Sequence, residues 1–117
     1  MGLLQLIPNI FYEDINQGVT FFKESLGFNV IYSTDTFCIV KRDNITIHLF
    51  QNPEFAQKDR PEIRIVTDNI EAIFTEVKGR KPNSLHPNLN KIKQQPWGLK
   101  EFATLDVTNV CVIFQQP

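Results

Sequence analysis

Two stretches far apart in this chain read alike, and that repetition constrains the fold more than any other feature. Residues 43–50 run Asp-Asn-Ile-Thr-Ile-His-Leu-Phe, and Asn109 to Phe114 run Asn-Val-Cys-Val-Ile-Phe. Each is a turn residue followed by β-branched and aromatic positions, the composition of a strand. Each closes a half of the chain that also holds one capped amphipathic helix. At 117 residues there is chain for one core but not for two. A strand–helix–strands unit used twice in that length predicts two half-sheets around a shared hollow. Function is expected in what lines the hollow.

The elements follow from local chemistry. Leu3 to Tyr12 is apolar and contains Pro8, which cannot donate to a ladder, so it reads as an edge or bulged strand. Asp14 is a good N-cap with Gln17 at the capping-box position. Ile15, Val19, Phe22 and Leu26 keep a helical face, and Gly27 supplies the left-handed stop. Strands are predicted at Phe28–Ser33, Phe37–Arg42 and Asn44–Gln51, with a tight Asp43-Asn44 turn. Asn52 to Arg60 reads as a loop. The second half restarts with a strand at Glu62–Thr67. A helix follows, capped by Asp68 with Glu71 completing the box, carrying Ile70, Ile73, Phe74 and Val77, and ending at Gly79. Arg80 to Leu89 is expected to be irregular. Asn90–Gln95, Leu99–Leu105 and Asn109–Gln115 complete a second set of three strands.

Composition excludes several function classes. A net charge of −1 and no Lys/Arg run beyond two residues give no basis for binding nucleic acid. No apolar stretch approaches the roughly 20 residues that span a bilayer, and no leader pattern opens the chain, so a cytoplasmic protein is expected. Cys38 and Cys111 lie in apolar runs and read as buried thiols, not a disulfide framework. No nucleophile elbow surrounds Ser25, Ser33 or Ser84, and the five scattered glycines form no phosphate loop. Ten phenylalanines exceed what so small a core requires, and some are expected in a pocket.

Strand parity assigns the hollow. If Ile45, Ile47 and Leu49 pack on the helices, then Thr46, His48 and Phe50 face inward. The same parity places Ile7, Asn9 and Phe11, then Glu62, Arg64 and Val66, then Val110, Val112 and Phe114 around it. Such a wall suits a planar or amphipathic organic ligand better than phosphate or an ion. His48 is read either as a hydrogen-bonded structural histidine or as a ligand contact. Glu101 is read as an exposed or ion-paired carboxylate, or as a polar ligand contact paired with Arg64.

Three motifs carry a resemblance. Phe21-Phe22-Lys23-Glu24-Ser25-Leu26-Gly27-Phe28, Arg42-Asp43-Asn44-Ile45-Thr46-Ile47-His48-Leu49, and Pro96-Trp97-Gly98-Leu99-Lys100-Glu101-Phe102 followed by Asp106 and Asn109 occur in order. Together they resemble the vicinal oxygen chelate superfamily of glyoxalases, extradiol dioxygenases and bleomycin-resistance proteins, most nearly the last. One departure is Val107-Thr108, where the family has Pro-x-Gly. The resemblance implies an α+β fold of two βαβββ modules, about 1–52 and 61–117, forming a U-shaped mixed sheet within one domain, 1–117. It also implies a homodimer. Metal-dependent members place ligands at positions corresponding to Ile7, His48, Glu62 and Val112, of which two are aliphatic here. His48 and Glu62 remain as weak metal candidates, and no cofactor is expected. Trp97 is read either as a loop ring packed on a neighbouring subunit or sheet edge or, as the resemblance favours, as a stacking surface at the pocket mouth.

The expected function is sequestration of an aromatic or amphipathic, antibiotic-like small molecule in dimer clefts, through His48, Phe50, Arg64, Trp97, Glu101 and Phe114, with no catalytic residues. The alternatives are a metal-dependent lyase, isomerase or dioxygenase, lactoylglutathione-lyase-like, and a non-catalytic association module.

Overall fold

The computed structural model describes residues 2–117. The chain runs β1 (Asn9–Tyr12), α1 (Ile15–Thr20), β2 (Asn29–Ser33), β3 (Phe37–Arg42), β4 (Ile45–Gln51), α2 (Pro53–Lys58), β5 (Glu62–Val66), α3 (Ile70–Arg80), β6 (Lys93–Gln94), β7 (Lys100–Leu105) and β8 (Cys111–Gln116). Two four-stranded mixed sheets result, ordered β1-β4-β3-β2 and β5-β8-β7-β6. In each, the first strand of a half lies parallel to its last, and the other pairs are antiparallel.

The duplication extends to single hydrogen bonds. Ile15 N, in the first turn of α1, donates to Gln51 Oε1 at 3.1 Å, and Ile70 N, in the first turn of α3, donates to Gln116 Oε1 at 2.7 Å. Each helix thus has a free N-terminal donor satisfied by the glutamine that ends its own half's last strand. Counting back from these two contacts, Asn9 opposite His48 is equivalent to Arg64 opposite Ile113.

Local chemistry accounts for most elements. Asp14 caps α1, its side chain accepting from Asn16 N at 3.0 Å, while Gln51 takes the neighbouring donor, Ile15 N. The helix widens into a π turn over Phe21–Ser25, so that Phe21 and Phe22, adjacent in sequence, are both buried. Gly27 then reverses the chain at φ +73. Asn52 caps α2, accepting from Phe55 N at 3.1 Å, with Pro53 in the first turn, so the expected loop contains a helix.

α3 begins one residue later than predicted. Asn69, not Asp68, caps it, accepting from Ala72 N at 3.1 Å, because Thr67 Oγ1 holds Asn69 N in a preceding turn. Nor does Gly79 end it. The helix continues to Arg80, and Pro82 enforces the stop. β6 is only two residues long for a reason visible at its neighbour. His86 N donates to Ala103 O and Ala103 N to Leu89 O, both at 2.9 Å, so residues 85–89 already occupy that edge of β7.

Ile10, Tyr12, Cys38, Val40, Ile47 and Leu49 pack beneath α1, and Phe102, Val110, Val112 and Phe114 beneath α3. The two halves are then pinned together. Tyr12 Oη donates to Asp106 Oδ2 at 2.7 Å, fully buried. Burial first, and then the Asp106 carboxylate, push the Tyr12 phenol far above its ordinary value, so it remains a donor. Arg42 forks onto Glu76 at 2.9 and 2.7 Å and also donates to Leu26 O at 2.8 Å. Ser84 Oγ donates to Ser25 Oγ at 2.7 Å. β2 lies at the margin of its sheet with every residue exposed, and its pairing slips between Val30 and Tyr32.

Tyr12→Phe is expected to lower the unfolding free energy by about 1–3 kcal/mol, because a buried carboxylate oxygen loses its donor; urea denaturation measures it. The Arg42 guanidinium, and after it Arg80, hold the Glu76 carboxyl below its ordinary value against the opposing effect of burial. A depressed carboxyl stabilises above its unfolded-state value and loses that contribution as pH falls through the folded-state value. Wild type should therefore exceed Glu76→Gln in stability fully near neutrality, and the gap should close as the pH drops below 4.5.

Candidate functional site

Each sheet has one face covered by its helix and one face left open. On the first sheet the open face carries Asn9, Phe11, Phe37, His48 and Phe50, the positions alternate to the buried Ile10, Tyr12, Cys38, Ile47 and Leu49. The rings touch one another. Phe37 and Phe50 have centroids 4.9 Å apart, Phe11 stacks on Phe50 at 5.6 Å, and His48 meets Phe37 edge-on at 5.2 Å. The short α2 adds Phe55, edge-on to Phe11 at 5.1 Å and 44% exposed. All four wall rings, including that of His48, are only half-buried. The parity assigned from sequence to His48, Phe50, Asn9 and Phe11 holds.

On the second sheet parity was off by one in the last strand. Val110, Val112 and Phe114 were expected to face the hollow, but they pack on the helix side. Phe114 stacks on Phe102 at 5.2 Å, and Phe102 meets Phe74 of α3. Asn109 takes φ 75 and Asp106 accepts from Val110 N, so the strand's pairing starts at Cys111 and the face-out positions become Cys111, Ile113 and Gln115. Phe114 lines a different cavity, of 710 Å³, with Phe28, Ile45, Ile65 and Ile73 on the helix side of the sheets. Cys111, expected buried, is half-buried on the open face, and burial followed by the Glu62 charge raises its thiol. Cys38 is buried, and burial raises its thiol too.

The open face of the second sheet is charged instead of aromatic. Arg64 Nη1 lies 3.1 Å from Glu62 Oε1, and its Nε lies 3.7 Å from Glu101 Oε2. Glu101 is buried and Arg64 is half-exposed. Gln95 Nε2 donates to Glu101 Oε1 at 3.4 Å, tying the turn that bears Trp97 to the same carboxylate. Trp97 itself is 62% exposed. The structure therefore brings Arg64 and Glu101 together, with the Trp97 turn beside them, and brings His48 and Phe50 together on the other sheet. Sequence reasoning missed Phe37 and Phe55. Phe37 could have been found from the hairpin, since the turn at Asp43-Asn44 sets it opposite Phe50.

The positions that the sequence resemblance assigns to metal ligands do not fit an ion here. Val112 points into the core, Ile7 is aliphatic, and the Glu62 carboxylate is engaged by Arg64. Among the described residues no three His, Cys, Asp or Glu side chains gather as a metal site. A lone imidazole facing a ring cluster is a poor holder of a divalent cation.

Paired βαβββ halves with helix-covered cores and open inner faces define the vicinal oxygen chelate fold. No protein-family model matches the sequence. The bleomycin resistance protein of Geobacillus stearothermophilus is 25% identical over 131 aligned positions, covering 97% of each chain. A bleomycin-binding protein solved in complex with bleomycin superposes with a TM-score of 0.82 at 18% identity, over 98% of this chain and 99% of that one. The bleomycin-binding protein of Streptomyces verticillus, solved with copper(II)-bleomycin, gives 0.81 at 21% identity, over 100% and 98%. The chain therefore shares its fold with these bleomycin-binding proteins and is similar along nearly its whole length to a bleomycin resistance protein.

The two phenylalanines should separate cleanly by mutation. Phe114→Ala removes a core ring and is expected to cost about 3–5 kcal/mol of stability, whereas Phe50→Ala on the open face should cost less than half of that. Thermal and urea unfolding of both variants measure the difference.

Proposed function

We propose that this protein sequesters an aromatic or amphipathic, antibiotic-like small molecule, bleomycin-type compounds included, by reversible non-covalent binding. One observation carries the reading. Phe11, Phe37, His48 and Phe50 form a continuous ring wall that is left half-exposed when the same chain buries seventeen other residues in a helix-covered core. Clustered rings of this kind offer stacking area to a planar ligand at little cost in side-chain freedom. Arg64, Glu101 and Trp97 supply the polar and stacking contacts of the second wall. Relatives whose names record binding of, or resistance to, bleomycin support the ligand class.

The wall is an open face, not a closed pocket. Three other cavities, of 710, 440 and 330 Å³, contain none of His48, Phe50, Arg64, Trp97 or Glu101. A second copy of the chain would supply the missing wall. Support for a homodimer comes from apolar side chains the chain leaves uncovered: Leu3, Leu4 and Leu6 near the N-terminus and Ile31 and Tyr32 on β2. We place the protein in the cytoplasm; no helix of the described residues is long and apolar enough to cross a membrane.

Titration of the purified protein with bleomycin, followed by Trp97 fluorescence, tests the function. Saturable binding and recovery of the compound unchanged are expected, with Phe37→Ala and Phe50→Ala each weakening affinity about tenfold or more. Stoichiometric uptake of zinc, nickel, manganese or iron(II), with turnover of a glutathione hemithioacetal or a catechol, would overturn it in favour of the lyase or dioxygenase reading. Sedimentation should report a dimer, and Leu4→Ser combined with Leu6→Ser should shift it towards monomer.

A further inference from the structure

The charged wall contains one group whose needs the protein leaves unmet. Glu101 is 2% exposed and belongs to the open face, since its neighbour Phe102 faces the core. Its Oε1 receives a long contact from Gln95 Nε2 at 3.4 Å. Its Oε2 has no hydrogen-bond partner among the described residues. The nearest cation, Arg64 Nε, stands at 3.7 Å, too far to donate, and its other arm is committed to Glu62. Lys93, opposite Glu101 in the strand pairing, is exposed.

A carboxylate removed from water without donors for its lone pairs is costly, and the cost is recovered by whatever brings an N–H to it. Its equivalent in the first half is Phe37, the centre of the ring wall: Ile39 and Ala103 stand opposite His48 and Ile113, and Phe37 and Glu101 lie two residues earlier. The same scaffold position thus supplies a ring on one sheet and a buried acid on the other.

We infer that Glu101 Oε2 is the acceptor for a cationic N–H group of the ligand, an ammonium or amidinium carried on an aromatic body. Arg64 acts as a local counter-charge that yields to the incoming cation and remains paired with Glu62. The site therefore selects cationic aromatic compounds over neutral or anionic ones of the same shape. This rests on the sequestration reading given above.

A matched pair of probes tests it: naphthylmethylamine, cationic at neutral pH, and uncharged methoxymethylnaphthalene, each titrated calorimetrically into the full chain. Wild type is expected to bind the amine about tenfold tighter. Glu101→Gln, close to isosteric, should erase that preference, bringing the affinity for the amine to that for the ether. Arg64→Met, which removes the competing cation, should widen the preference; this variant decides the matter if Glu101→Gln does not fold. Equal binding of both probes by wild type, or a preference unaltered in both variants, overturns the inference while leaving a small-molecule site standing. Binding of neither probe overturns the sequestration reading itself.

Discussion

The Asp106 carboxylate is the point on which the arrangement of the two halves depends. One oxygen takes the Tyr12 hydroxyl at 2.7 Å from the first strand of the chain, and the other takes Thr108 N, Thr108 Oγ1 and Val110 N from the last turn. Arg60 extends the joint, lying over the Tyr12 ring and donating to Thr108 Oγ1 and Phe11 O. A buried acid with this many donors is inexpensive to keep and expensive to strip of any one of them. Gly18 shows how closely the surroundings fit, since a Cβ there would overlap the Tyr12 ring. The opposite side is held by Arg42 and Glu76, close against Gly27. Each sheet face is fixed in place because these joints leave the halves little freedom to slide.

On that fixed frame the two open faces have diverged. Equivalent positions read Phe37 and Glu101, His48 and Ile113, Phe50 and Gln115, Asn9 and Arg64. The helix sides stay apolar in both halves, as the shared packing requires. One duplicated backbone therefore presents a ring surface and a charged surface, and a ligand with an aromatic body and a cationic end matches both.

Much of the fold was legible in the sequence, and the reasons are local. The Asp14 cap, the Gly27 reversal and the Asp43-Asn44 turn act within a few residues, so residue identity was enough to place them. What failed depended on which of several competing partners each backbone group takes, some of them distant in sequence. The start of α3 moved because Thr67 holds Asn69 N just before it and Gln116 takes Ile70 N in its first turn. β6 shrank because residues 85–89 compete for the same edge of β7. The last strand was assigned to the wrong face because Asp106 gathers Thr108 N and Val110 N and Asn109 takes a positive φ, so that the turn delivers the strand with its pairing starting at Cys111. A slip of one residue exchanges all the side chains of a strand between faces, so Phe114 passed from supposed pocket to core. His48 and Phe50 escaped this because the hairpin before them fixes their phase.

The irregular pairing of β2 has a consequence for behaviour at high concentration. Ile31 is left out of register between Val30 and Tyr32, and the strand carrying it is apolar on both sides. A flat, unbroken margin of that composition would template the addition of further chains and seed fibrils. The displaced residue twists the row of free amides and carbonyls out of line, which interrupts such stacking without placing a charge on the surface.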